Sequence, residues 1–232
     1  MDYEAVFFDL DDTLYPYPPC NEAGKRGALR TARELGYDFD RDSFESVYQE
    51  GRNEVKRELA GTASAHERFL YFKRVIEIHT GTHKSRHALE LGEAYWDAYI
   101  EEMDLFDGVV EVFETLSDAG VSIVVVSNLT TRIQLKKIEH LGIEEYVDLV
   151  VTSEETGNEK PSSIMFTLPL SQLDLRPSEA VMVGDSVAAD VEGGNAAGLT
   201  TVLFNNDETG LTSRRRPDHR VDAFADVAEV VS

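Results

Sequence analysis

Hydrophobic and polar positions alternate along this chain in two regimes. The first begins at once with a short unbroken apolar run, Ala5-Val6-Phe7-Phe8, and resumes beyond Asp107-Gly108, where four more runs recur at regular intervals: Val121-Ser122-Ile123-Val124-Val125-Val126, Asp148-Leu149-Val150-Val151, Ala180-Val181-Met182-Val183 and Thr201-Val202-Leu203-Phe204. Runs of this length, apolar on both faces, predict buried strands. Between them, apolar positions spaced by three and four predict helices over Val109 to Ala119, Thr131 to Leu141, Ser163 to Leu173 and Ala188 to Ala197, the first two stopped by Gly120 and Gly142. Buried strands alternating with helices predict a parallel sheet covered on both faces, a doubly wound, Rossmann-like α/β core. Val221 to Phe224 is expected to add an edge strand and Asp226 to Val231 a closing helix.

The second regime lies between the first and second strands. After the turn-rich Tyr15-Pro16-Tyr17-Pro18-Pro19, the spacing predicts four helices, Glu22 to Gly36, Asp42 to Leu59, Ser64 to Thr80 and Ser85 to Met103. Short loops between them suggest a small bundle. The expected organisation is thus a Rossmann-like catalytic core, residues 1–15 and 104–232, with an inserted helical cap domain, residues 16–103. A bundle inserted at a strand's C-terminal end reads as a lid that excludes water and selects substrate.

Composition narrows the functional classes. The 232 residues hold 44 acidic and 22 basic side chains, a formal charge of -22. That balance argues against a nucleic acid polymer or an anionic membrane surface as partner. The acid is spread along the chain, as on the acidic surfaces of halophilic proteins, where salt screens self-repulsion. Cys20 is the sole cysteine, so neither a disulfide frame nor a thiolate metal cluster is available. Met1-Asp2-Tyr3-Glu4 lacks a signal-peptide pattern and no apolar stretch is long enough to span a membrane, so a cytoplasmic setting is expected. The triplet Asn128-Leu129-Thr130 is set aside as a glycosylation site for the same reason.

Chemistry gathers where the strands end. The first strand runs into Asp9-Leu10-Asp11-Asp12-Thr13-Leu14, the second into Ser127-Asn128, and the fourth into Gly184-Asp185-Ser186 with Asp190 beyond; the loop after the third carries Glu159-Lys160-Pro161. In a parallel sheet all these ends share one edge, so groups far apart in sequence converge. Asp9 and Asp11, two apart in extended chain, point to one side, and two carboxylates placed so need a cation between them or a proton on one. Asp12, adjacent, points to the other face. Carboxylates suit Mg²⁺, while the lack of clustered His and Cys argues against zinc. With one lysine and one hydroxyl they form a cradle for phosphate. Competing motifs fail. No Walker loop is present, Gly193-Gly194-Asn195-Ala196-Ala197-Gly198 lacks the middle glycine of a dinucleotide fingerprint, and Gly184-Asp185-Ser186-Val187-Ala188 is not a complete nucleophile elbow. Asp9 to Thr13 lacks the third ligand of a calcium loop. His79, His83 and His87 are spaced by four, but Gly81 interrupts the helix, and ordinary bundle surface is the reading. Arg214-Arg215-Arg216-Pro217 reads as a solvated loop.

Taken together, the Asp9 to Leu14 segment, Ser127-Asn128, Lys160-Pro161, and Gly184-Asp185-Ser186 with Asp190 resemble the four motifs of the haloacid dehalogenase superfamily, in the right order and over the whole chain. The resemblance is greatest to its nucleotidase and sugar-phosphate phosphatase branch. It implies that Asp9 attacks phosphorus to form an aspartyl phosphate and that Asp11 protonates the leaving oxygen, then activates water. It further implies that Mg²⁺ is held by Asp9, the Asp11 carbonyl and Asp185, with Asp190 beside them. Ser127, Lys160 and the Asn128 backbone would hold the phosphoryl oxygens. Asp11 must then start protonated, for which the paired carboxylates offer a reason. The expected activity is hydrolysis of a small phosphorylated metabolite, a nucleoside monophosphate or sugar phosphate. The alternatives are a 2-haloacid dehalogenase, disfavoured because those enzymes lack an acid at the position of Asp11, a sugar phosphomutase, and a degenerate binding module. Tyr15, Tyr17, Asn21 and Lys25 are candidates for leaving-group contacts, each with a packing role as an equal reading.

Overall fold

The computed structural model describes residues 3–231, so Met1 and Asp2 of the signal-peptide reading lie outside it. The chain divides into two compact units: residues up to Pro16 with those from Asp104 onward form one, and Tyr17–Met103 form the other. Pro16, assigned by the sequence pattern to the helical segment, falls in the first unit.

The helical unit contains α1 (Tyr17–Glu34), α2 (Arg41–Glu58), α3 (Arg68–Thr80) and α4 (Ser85–Glu101). Helix α1 starts five residues before the expected Glu22. Pro18 and Pro19 are the reason: they look like turn residues, yet in a first helical turn their missing N–H groups are unneeded. Helices α1 and α4 approach closely at Gly27, where a Cβ would stand 2.5 Å from the Ala94 carbonyl oxygen. Asp40 caps α2 by accepting from the Ser43 N–H at 2.7 Å, while the Ser43 hydroxyl accepts from the Asp40 N–H at 3.1 Å. The core is aromatic and encloses Arg68, whose guanidinium donates to Tyr17 Oη at 3.0 Å and to the His66 carbonyl at 2.5 Å and faces the rings of Tyr71, Tyr95 and Trp96 at 5.2–5.5 Å. Those faces and acceptors offset the desolvation of a buried charge. Lys25 bridges Glu22 and Glu45, and Asn21 accepts from Tyr17 and Tyr95. His79 and His87 both pack against the Tyr37 ring, His87 also pairing with its hydroxyl, while His83 faces Glu77.

The other unit is a six-stranded sheet, β1 (Ala5–Phe8), β2 (Ser122–Ser127), β3 (Leu149–Thr152), β4 (Ala180–Gly184), β5 (Thr200–Phe204) and β6 (His219–Val221), in the order β3-β2-β1-β4-β5-β6 with every pairing parallel. Helices α5 (Val109–Asp118), α6 (Thr131–His140), the single turn α7 (Ser153–Thr156), α8 (Ile164–Gln172) and α9 (Glu192–Ala197) lie between the strands, and α10 (Val227–Val231) follows the last of them. The fold is α/β and doubly wound. All four β1 residues are fully buried. Strand β1 lies in the middle because it is the most apolar, and the crossovers wind outward from it in both directions. Strand β6 sits earlier than the expected Val221–Phe224: of its three residues only Val221 is buried, so the pattern barely marks it. Asp218 fixes its start, accepting from the Thr201 N–H at 2.9 Å. The helix expected over Ala188 to Ala197 divides into a π-helical turn, Val187–Val191, and α9. Arg214, Arg215 and Arg216 are exposed, and Arg215 pairs with Glu192 at 2.8 Å. Among the described residues, no helix is long and apolar enough to cross a membrane.

Candidate active site

Strand order reverses between β1 and β4, and in open α/β sheets the crevice at such a point is where ligands bind. Two of the polar segments leave the sheet there. The Asp9 N–H still donates to the Val183 carbonyl at 2.9 Å, continuing the ladder one residue past β1. The chain then turns, with Asp12 in the left-handed region at φ 64° and the Leu14 N–H returning to the Leu10 carbonyl at 3.1 Å. Inside this turn the buried Thr13 accepts from the Asp185 N–H at 3.2 Å and so ties the β1 turn to the β4 loop. The Asp185 carbonyl accepts from the Asn206 amide at 2.7 Å, fixing that loop from its far side.

Gly184 ends β4 for a steric reason. A Cβ there would stand 2.2 Å from Asp190 Oδ2, so only glycine lets the Asp190 carboxylate lie against the strand. The π-helical turn carries Asp190 back to that place, and its Oδ2 accepts from the Ser186 N–H at 3.0 Å.

Lys160 is drawn into the same spot from the loop after β3. The Asn128 side chain holds that loop in two places, accepting from the Lys160 N–H at 2.7 Å and donating to the Lys160 carbonyl at 3.3 Å. The Lys160 ammonium, on a side chain 1% exposed, lies 2.6 Å from Asp9 Oδ1, 2.7 Å from Asp190 Oδ1 and 2.7 Å from the Val126 carbonyl. Two of its N–H donors are engaged by Asp9 and the Val126 carbonyl, while Asp190 pairs with its charge. Burial works against its charge, but Asp190 and Asp9 prevail and raise its pKa. Asp9, Asp185 and Asp190 each offer an oxygen within 4.8 Å of the others. Three carboxylates outnumber one ammonium, and the consequence is visible: burial, with Asp190 and Asp11 nearby, pushes Asp9 up to about 7 despite Lys160. Burial together with Asp9, Asp190 and Asp12 pushes Asp185 up to about 8.

Asp11 has a different neighbourhood. Its Oδ1 accepts from Lys137 Nζ at 2.6 Å and from the Tyr15 hydroxyl, and its Oδ2 from the Gln134 amide at 3.3 Å. Burial would raise its pKa, yet the Lys137 ammonium and these donors outweigh it and hold Asp11 well below the usual carboxylate range. Two sequence expectations are corrected here. The pair does separate in proton affinity, but with the opposite sign, because Asp9 sits among acids and Asp11 sits against an ammonium. The site also has two buried ammonium groups where the sequence reading counted one. Lys137 and Gln134 had a readable signal: with Ile133 and Ile138 they form the buried face of α6, two polar residues inside an apolar stripe. Tyr15 was singled out for a leaving-group contact, and the structure places its hydroxyl on Asp11. The remaining sequence-predicted group, Ser127, is 1% exposed and accepts from the Gln134 amide.

A deeply seated aspartate at the end of the central strand thus faces a lysine at the switch point of a 3-2-1-4-5-6 sheet, the place where α/β enzymes build their sites. The chain belongs to the haloacid dehalogenase-like hydrolase family, whose sequence profile matches residues 3–198. It is 57% identical over 236 residues to the ribulose-1,5-bisphosphate 5-phosphatase of Halopiger xanaduensis, with 98% of this chain and 99% of that protein aligned. A glyceraldehyde 3-phosphate phosphatase of Methanopyrus kandleri is 30% identical over 98% of this chain and 97% of its own length. Among solved structures, the 2-haloacid dehalogenase of Pseudomonas syringae pv. Tomato DC3000 superposes with a TM-score of 0.80 over 99% of this chain and 98% of that one at 23% identity, a likeness of fold.

Proposed function

We propose that this hydrolase is a Mg²⁺-dependent phosphomonoesterase acting on a small sugar phosphate, with ribulose 1,5-bisphosphate as the first substrate to test. The observation that carries the reading is Lys160 set between the carboxylates of Asp9 and Asp190, with Asp185 beside them and Asp11 two residues further along the chain. Three carboxylates around one ammonium leave an excess of negative charge that a hard divalent cation neutralises, and oxygen donors are what Mg²⁺ takes. Asp9, Asp185 and the Asp11 carbonyl would hold it, and when bound it would supply charge stabilisation to the phosphoryl oxygens.

Asp9 is oriented by Lys160 and attacks phosphorus, so that the Asp9–phosphorus bond forms as the ester oxygen leaves. Asp11 delivers the proton to that oxygen. Lys137 holds Asp11 ionised in the free enzyme, so Asp11 takes this proton from solvent once the anionic phosphate lies beside it, because a like charge nearby raises a carboxyl's proton affinity. Ionised again, Asp11 takes a proton from the water that cleaves the aspartyl phosphate. The Ser127 hydroxyl and the Lys160 ammonium face the transferring oxygens, and Asp190 keeps Lys160 in place. The helical unit is read as the cap that selects substrate, and the acidic composition as adaptation to a salty cytoplasm.

The reading is tested by following phosphate release in high salt from ribulose 1,5-bisphosphate, glyceraldehyde 3-phosphate and nucleoside monophosphates, with and without Mg²⁺. Metal-dependent release from a sugar phosphate, lost by about 10³-fold or more in Asp9→Asn, is the expected result. Chloride release from a 2-chloro acid without metal, or isomerisation of a sugar phosphate without release, would replace it.

A further inference from the structure

Lys137 belongs to none of the four motifs, yet it is buried to 1% exposure against Asp11, and three residues earlier on the same helix Gln134 is buried completely. A spacing of three puts both on one face of α6. Gln134 is the more informative. Its single amide nitrogen reaches both Asp11 Oδ2 and Ser127 Oγ, while its Oε1 is buried with no hydrogen-bond partner. The amide's orientation is fixed by its acceptors: a carboxylate cannot donate to Oε1, so the nitrogen must face Asp11. The same nitrogen occupies a lone pair of Ser127 Oγ, which leaves the serine proton free to point elsewhere.

Resting on the phosphatase reading above, we infer that Lys137 and Gln134 are the positioning residues of the reaction: together they fix the Asp11 carboxylate and turn the Ser127 hydroxyl proton toward the transferring phosphoryl group. Lys137 and Tyr15 grip Asp11 Oδ1 while Gln134 holds Oδ2, so the carboxylate is restrained on both oxygens. Asp11 and Ser127 would otherwise each have rotamers to choose from, and general acid–base catalysis requires the proton-carrying oxygen to lie within hydrogen-bond reach of the leaving oxygen.

The leaving group provides the test. Protonation of the departing oxygen matters greatly for an alkyl phosphate and little for p-nitrophenyl phosphate, whose phenolate leaves unaided. Lys137→Met is expected to lose about 10²-fold in kcat on an alkyl phosphate such as ribulose 1,5-bisphosphate and less than about 10-fold on p-nitrophenyl phosphate. Lys137→Arg, which keeps the charge, should restore most of the alkyl rate. Gln134→Leu, which removes the second grip without touching a charge and serves if Lys137→Met does not fold, should show the same selectivity at about 10-fold. Equal losses on both esters, or no loss, in variants that melt like the wild type would overturn the inference while leaving the phosphatase reading intact. A wild-type protein that releases phosphate from neither ester would overturn both.

Discussion

Two carboxylates separated by one residue each meet a buried lysine, and the outcomes are opposite. Lys160 serves Asp9 but is shared with Asp190, and Asp185 adds a further negative charge nearby. Lys137 is paired with Asp11, with a hydroxyl and an amide in support. Burial, in a neighbourhood anionic on balance, pushes Asp9 up to about 7; the second neighbourhood sets an ammonium against the acid and keeps Asp11 ionised. Burial pushes both carboxyls up; the Lys137 ammonium with its supporting donors overrides it at Asp11, whereas at Asp9 Lys160 does not, with Asp190 and Asp11 adding to burial. The anionic side is the one prepared for a cation, and the balanced side is the one prepared to pass a proton.

The contrast breaks most completely at the lysines. Lys160→Met leaves Asp9 and Asp190 buried without their cation, and removing one partner of a buried ion pair costs about 3–5 kcal/mol. Urea unfolding at pH 8 should show that loss, and turnover should fall alike on alkyl and aryl phosphates. Lys137→Met should instead discriminate between the esters. If the two variants behaved alike, the division between the neighbourhoods would be void.

A smaller effect follows from pH. The folded pKa values of Asp9 and Asp185 are raised from the ordinary 3.8 to about 7 and about 8, so between pH 4 and 8 the folded state binds more protons than the unfolded state. Stability of the metal-free protein therefore falls as pH rises through that window. Asp11, lowered, acts in the opposite sense: its contribution is present above pH 4 and is lost on acidification below it. Mg²⁺ should relieve the first effect, raising Tm by roughly 5 °C at pH 8 and by less than about half of that at pH 5. Equal shifts at the two pH values in calorimetry would contradict the charge count.

Much of this is legible in the sequence because it rests on patterns of single strands. Unbroken apolar runs such as Ile123 to Val126 cannot be other than buried strands in an α/β sheet, and parallel order alone brings Asp9, Ser127, Lys160 and Asp185 to one edge. The start of α1 is hidden because Pro18 and Pro19 suit both a turn and a first helical turn. Strand β6 is displaced because pairing, not burial, defines it. The proton assignment fails because it treats Asp9 and Asp11 as a pair in isolation, whereas the charge that settles it, Lys137, arrives from 126 residues away.

In the proposed reaction Asp9 takes the phosphoryl group and Asp11 moves the proton. This division of roles is checked by quenching wild type and Asp11→Asn in acid during turnover of ribulose 1,5-bisphosphate with Mg²⁺, and locating bound phosphoryl by mass spectrometry of the digested chain. Phosphoryl is expected on the peptide that contains Asp9, at higher occupancy in Asp11→Asn because hydrolysis of the intermediate is slowed. Phosphoryl on a different residue, or turnover by Asp11→Asn at the wild-type rate, would contradict it.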